Sequence, residues 1–232
     1  MRHNHAATLL MTRPETSSHR FITQLTQSGV VLEYCISPAL SIVPVTHDID
    51  PSSFGAVIFT SQNGVTHGPH GSGRLAYCVG DQTAEAARTK GYEVLSADGA
   101  AEDLIDLVAR HAPDHSLVHI RGTHSRGRIA QSLTTMGFPC EDVIVYDQID
   151  RPLSPEAQRL LAGGKPVILP LFSPRSAAIV GQQVQLGQHH HIIALSDAVS
   201  EAFGVKKRAS IQVAAKPTLE AMIDGVKAVI AT

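Results

Sequence analysis

Four short stretches place hydroxyl, amide or glycine residues where a strand would hand over to a helix: Thr60-Ser61-Gln62-Asn63, Gly80-Asp81-Gln82-Thr83, Phe172-Ser173-Pro174-Arg175 and Ser196-Asp197-Ala198-Val199. A helix start exposes backbone N–H groups without intrahelical partners and carries the positive end of the helix dipole, so such turns attract anions. Arg13 and the pair Arg121-Gly122 end two apolar runs and add fixed positive charge. Together they suit a molecule bearing many carboxylates or phosphates. Each turn alone has a plainer reading, because Ser, Thr and Asp cap helices at about 1 kcal/mol each. Duplication is what lifts the set above capping.

The duplication is split. Val57 to Val65 followed by Ala76 to Ala86 reads like Val167 to Ala177 followed by Ile192 to Ala202. A second pair keeps a different offset: Met11-Thr12-Arg13, Leu25, Gly29 and Glu33 match Ile120-Arg121, Leu133, Gly137 and Glu141. In the first pair the earlier copy is mid-chain, and in the second it is N-terminal. The simplest topology is one domain inserted into another, with equivalent loops expected to face each other across a cleft.

Short apolar runs alternate with segments of helical period, the pattern of βα units around a parallel sheet. The fold class read from this is α/β, with two similar parallel-sheet, three-layer domains. One comprises residues 1–36 plus 153–232 and the other, inserted, residues 54–146, with 37–53 and 147–152 as interdomain linkers. Strands are expected at 8–12, 31–36, 56–60, 75–79, 92–95, 117–121, 142–146, 166–172, 191–195 and 209–213. Helices are expected at 16–28, from 61, and at 81–90, 101–111, 125–136, 154–163, 174–184, 197–203 and 217–230. Gly29, Gly91 and Gly137 read as helix stops, and Pro217 as a first-turn residue.

The chain has 232 residues, ample for two small cores, and its 43% hydrophobic and 17% charged content is that of a globular protein. Aromatics make up 4%, Trp is absent and the formal net charge is -2, which argues against base stacking and phosphate-backbone binding, hence against a nucleic-acid partner. No apolar run approaches the roughly 20 residues of a membrane span, and the N-terminus lacks a secretory pattern. Cys35, Cys78 and Cys140 are odd in number and widely spaced, as free thiols in a reducing cytoplasm would be. The expected location is cytoplasmic.

Other motifs fall away. Gly71-Ser72-Gly73-Arg74-Leu75-Ala76 precedes a strand, so a pyrophosphate would find no helix start there. Gly163-Gly164-Lys165-Pro166 lacks the rest of a phosphate loop. His189-His190-His191 alternates faces in a strand and cannot converge on one ion, so a solvated strand entry is expected, and His67-x-x-His70 fares no better as a metal site. No Gly-x-Ser-x-Gly elbow supports a hydrolase triad.

Leu10-Met11-Thr12-Arg13-Pro14, Ile58-Phe59-Thr60-Ser61-Gln62-Asn63-Gly64-Val65, Val79-Gly80-Asp81-Gln82-Thr83-Ala84, Ile120-Arg121-Gly122, Val143-Ile144-Val145-Tyr146 and Phe172-Ser173-Pro174-Arg175-Ser176-Ala177, in this order, resemble the uroporphyrinogen-III synthase family. The resemblance implies two α/β domains joined by a two-stranded connection, and an enzyme that uses neither metal nor organic cofactor. It implies closure of hydroxymethylbilane, with loss of water and inversion of the last pyrrole ring, to uroporphyrinogen III in tetrapyrrole biosynthesis. It also implies that Tyr146 assists departure of the hydroxyl and that Thr83 faces the cleft.

The expected substrate-binding set is Arg13, Ser61, Gln62, Asn63, Gly80, Thr83, Arg121, Gly122, Ser173, Pro174, Ser196 and Val199. Val199, the counterpart of Thr83, has no hydroxyl, so backbone amides are expected to do most of the holding. The alternative from another class is a non-catalytic two-domain clamp for a polyanionic small molecule. A monomer is the default, as nothing marks an oligomer interface.

Overall fold

The structure is a computed structural model that describes residues 7–48, 50, 53–124, 127–204 and 210–231. Along the chain run β1 (Thr8–Met11), α1 (Glu15–Gln27), β2 (Tyr34–Ile36), β3 (Leu40–Pro44), β4 (Ala56–Phe59), α2 (Gln62–His67), β5 (Leu75–Cys78) and α3 (Asp81–Thr89). Then follow β6 (Glu93–Ser96), α4 (Ala101–His111), β7 (Leu117–Gly122), α5 (Ile129–Thr135), β8 (Cys140–Asp150) and α6 (Pro155–Ala162). The last elements are β9 (Val167–Leu171), α7 (Pro174–Gln183), β10 (His190–Ala194), α8 (Asp197–Phe203), β11 (Ser210–Val213) and α9 (Leu219–Ile230).

The chain divides into two compact units, one running up to Ser41 and resuming at Ile149, the other being Ile42–Gln148. In the first, the sheet order is β11-β10-β9-β1-β2, every pairing parallel. Strands β1 and β9 are buried at every position, which is why they read as unbroken apolar runs. Leu9 and Met11 of β1 pack with Phe21 and Leu25 of α1 and with Met222, Ile223 and Val226 of α9. The spacing of Ser18, Phe21 and Leu25 is the helical period that drives α1 onto the sheet.

The second unit has the order β3-β8-β7-β4-β5-β6. One face packs Val57, Phe59, Val118, Ile120, Val145 and Tyr146 with Val65 of α2 and Ala84 and Ala87 of α3. The opposite face packs Ala56, Ile58, Tyr77 and Leu117 with Leu104 and Val108 of α4 and Ile129 and Leu133 of α5. The split repeat has a topological explanation: the run β1-β9-β10-β11 in one sheet corresponds to β7-β4-β5-β6 in the other. Each N-terminal element of the repeat thus occupies the same sheet position as its distant copy.

Several boundaries differ from expectation. Residues 37–53 and 147–152, read as the two strands of an interdomain connection, contain β3 and the end of β8, which are indeed neighbours in a sheet, but β8 begins well before residue 147. The Val45 N–H donates to the Val145 carbonyl (3.0 Å) and the Arg151 N–H to the Ala39 carbonyl (2.8 Å), an antiparallel register. The strand expected at 142–146 is accordingly one continuous strand, Cys140–Asp150, and that expected at 31–36 shrinks to Tyr34–Ile36. The helix expected from residue 125 starts at Ile129, because Gly127 at φ +82° turns the chain out of helical space; residues 125 and 126 lie outside the described residues. Thr218, whose hydroxyl accepts from the Ala221 N–H, caps α9, so Pro217 precedes the helix instead of opening it.

Candidate active site

The turn from β4 to α2 carries several polar side-chain contacts. Ser61 caps α2, its Oγ accepting the Gly64 N–H at 3.1 Å, and the same oxygen lies 3.0 Å from the Tyr146 hydroxyl. Tyr146 is buried at the register shift between β7 and β8, where Gly122 pairs with it. A side chain on Gly122 would run into ring carbons Cε2 and Cζ of Tyr146, so the glycine is what lets the phenol lie flat across β7. The His67 ring sits 6.0 Å from the Tyr146 ring, centroid to centroid.

Helix α2 is short and held at both ends. Gly64 allows it to ride against the Ile120 carbonyl, which a Cβ would meet at 2.8 Å. At its other end Lys90 Nζ donates to the carbonyls of Val65 (2.5 Å), Thr66 (2.7 Å) and Gly68 (2.5 Å), a cation placed where the dipole is negative. Burial lowers the pKa of Lys90. It also lowers that of His67, with the Lys90 charge acting in the same direction, which favours a neutral imidazole beside the phenol. Gln62 Nε2 donates to the Gln82 carbonyl (3.0 Å), tying this turn to the next one.

On the other sheet face a second chain of contacts crosses three strands. Thr60 Oγ1 is 3.1 Å from His119 Nε2, and His119 Nδ1 is 2.8 Å from Asp142 Oδ1. Asp142 Oδ1 also lies 3.0 Å from Arg121 Nε, while Arg121 Nη1 donates to the Gly122 carbonyl at 3.1 Å. The hydrogen bond from His119, followed by its charge and that of Arg121, holds the Asp142 carboxyl below its ordinary range against the opposing effect of burial. Arg121, expected to face substrate, thus has internal acceptors on two of its nitrogens.

The remaining expected residues fall into three groups. Ser173 is a true cap, accepting the Ser176 N–H at 3.2 Å and donating to Ser176 Oγ at 2.9 Å, with Pro174 at the first position of α7. Gly80 and Ser196 occupy N-cap positions without a side-chain cap, in extended backbone, and nothing stands within 4 Å of where a Gly80 Cβ would be. Thr83 and Val199 are both buried, and their N–H groups turn back to the Gly80 and Ser196 carbonyls at 3.0 Å. Asn63 is half-buried in the first turn of α2. The Arg13 guanidinium stacks 4.2 Å over the Phe172 ring, and burial, with Arg20 nearby, lowers its pKa.

His119, Asp142 and Lys90 escaped the reading of the sequence, and His67 was weighed there only as a metal ligand. His119 left one signal, a lone ionisable residue in the otherwise apolar run Leu117–Ile120; Asp142 and Lys90 gave none. The histidine run behaves differently from the expected solvated strand entry: His190 is buried, accepting the Gly187 N–H on Nδ1 at 2.8 Å. Among the described residues no group of three or more His, Cys, Asp or Glu could hold a metal ion, and no helix is long and apolar enough to cross a membrane.

Two parallel α/β units, one formed by the middle of the chain, with a tyrosine–serine pair at a strand-to-helix turn, define a two-domain α/β protein. The family model described as uroporphyrinogen-III synthase HemD matches residues 20–224, and the chain belongs to that family of enzymes. Among solved structures, the uroporphyrinogen-III synthetase of Helicobacter pylori 26695 is similar at 17% identity, with 96% of this chain and 99% of that chain covered and a TM-score of 0.67. A mutant uroporphyrinogen III synthase of the extremely thermophilic bacterium Thermus thermophilus is similar at 14% identity, over 97% of this chain and 99% of that chain, with a TM-score of 0.52. At these identities the two structures speak for the fold. No curated protein matches the chain.

Proposed function

We propose that this protein is a lyase that closes hydroxymethylbilane to uroporphyrinogen III, with loss of water and inversion of the last pyrrole ring. The family membership supports a catalyst over a passive clamp, and one observation within the chain carries the chemistry: the Tyr146 hydroxyl 3.0 Å from Ser61 Oγ. The substrate hydroxyl leaves as water, taking a proton, and the cation left behind is stabilised by its electron-rich pyrrole, so the step needs a donor at the leaving oxygen and little else. Tyr146 supplies it. Ser61 orients the phenol.

Because the cation also closes spontaneously to the uninverted isomer, the enzyme must govern conformation as well as rate. Arg13, Ser61, Gln62, Asn63, Gly80, Thr83, Arg121, Gly122, Ser173, Pro174, Ser196 and Val199 form the substrate-binding set in this reading. The uncapped turns at Gly80 and Ser196 serve through backbone N–H groups, which agrees with the burial of the Thr83 and Val199 side chains. The chain works as a cytoplasmic monomer. The test is to generate hydroxymethylbilane in situ and separate the oxidised isomers. Type III product is expected, and only type I at the uncatalysed rate would refute the assignment.

A further inference from the structure

The Thr60–His119–Asp142 chain has no part in the reading above, yet it ends one residue from Ser61. His119 is 2% exposed, and both its ring nitrogens are engaged. Asp142, a carboxylate, only accepts, so the Nδ1 proton belongs on the His119–Asp142 contact. With that one proton on the ring, Nε2 is a bare lone pair, and the Thr60 hydroxyl donates to it. The Arg121 Nε–Asp142 contact at 3.0 Å keeps the carboxylate ionised and in place, which secures the tautomer.

The consequence is chemical polarity. A free threonine hydroxyl donates or accepts as required; here the hydrogen is spent on His119, and Thr60 Oγ1 offers lone pairs only. Thr60 is half-buried and follows β4 directly, at the carboxyl end of a central parallel strand, where ligands of such sheets bind. Around it the turn is otherwise rich in donors. We propose that Thr60 is the acceptor for a pyrrole N–H of the substrate, and that His119 and Asp142 are positioning residues that lock its polarity. The inference deepens the proposed function and rests on it for the identity of the ligand. It separates two tasks: backbone and side-chain donors hold carboxylate arms, while one oriented acceptor reads the N–H edge of a ring.

Two measurements test this, one independent of activity. Two-bond proton–nitrogen NMR of the histidine side chains should show His119 protonated on Nδ1 in the wild-type protein and on Nε2 in Asp142→Asn, whose amide would donate to Nδ1 and reverse the chain. An Nε2-protonated His119 in the wild type overturns the inference, whatever the enzyme makes. In the assay of isomers, Thr60→Val and Asp142→Asn should each lower kcat/KM by about tenfold, with a larger share of type I product. Thr60→Ser, which keeps the oxygen, should restore both. Wild-type kcat/KM and isomer ratio in Thr60→Val also overturn the inference, whereas a wild-type protein that makes no type III product refutes the parent assignment and leaves the NMR result standing on its own.

Discussion

Replacing Tyr146 by Phe removes one oxygen and leaves the ring in its place against Gly122. Ser61 keeps its bond from the Gly64 N–H, and its own hydroxyl hydrogen, which a substrate-donating Tyr146 accepts, is half-buried and turns to water, so the fold loses one neutral hydrogen bond worth about 1 kcal/mol. For a chain of this size that lowers the melting temperature by roughly 2–4 °C. The effect on turnover is expected to be larger: loss of the group that assists the leaving hydroxyl should slow kcat by at least about tenfold and up to about a hundredfold. KM should change by less than about threefold, since one hydrogen bond contributes little to a ligand held at many carboxylates. The assay is initial-rate formation of type III product from hydroxymethylbilane made in situ, set beside a thermal melt of each protein. Unchanged kcat with the expected small loss in melting temperature would refute the role and leave Tyr146 as a packing residue.

Gly122→Ala puts a methyl group into the Tyr146 ring and should cost about 1–3 kcal/mol in urea denaturation together with most of the activity; adding Tyr146→Leu should recover stability without activity. Lys90→Met strips a cation from three carbonyls at the end of α2 and should destabilise the protein by roughly 1.5–3 kcal/mol, with amide exchange accelerating first in residues 62–68. Burial, and after it the neighbouring His189 and His191, depress His190 from 6.5 to about 4, so the unfolded chain binds a proton that the folded chain refuses between those values. Stability should therefore fall as pH drops, by roughly 2 kcal/mol between pH 7 and pH 5, and His190→Gln should flatten that part of the urea-midpoint profile.

Local signals carried the plan of the fold. Apolar runs such as Val57–Phe59 and Val167–Leu169 marked the central strands because those strands are buried on both faces, and Gly29, Gly91 and Gly137 marked helix ends because each adopts positive φ. Residues with divided roles were harder to read. Residues 37–53 and 147–152 read as a two-stranded connection, but where each strand begins was not legible, since extended chain has the same composition inside and outside a sheet. The N-caps at Ser61 and Ser173 were legible, as capping depends on residues three apart.

The sequence by itself determined that two related α/β halves exist, that one interrupts the other, and that Ser61 and Ser173 open helices at strand-to-helix turns. These follow from periodicity and from contacts a few residues long. Only the tertiary structure decided what each polar side chain does. It set Tyr146 on Ser61 across 85 residues, gave Arg121 to Asp142, buried Thr83, and joined Thr60 to Asp142 through His119. Hydrogen bonds between neighbouring strands depend on sheet order and register, and those are settled by the packing of the whole unit, which no local stretch of sequence encodes.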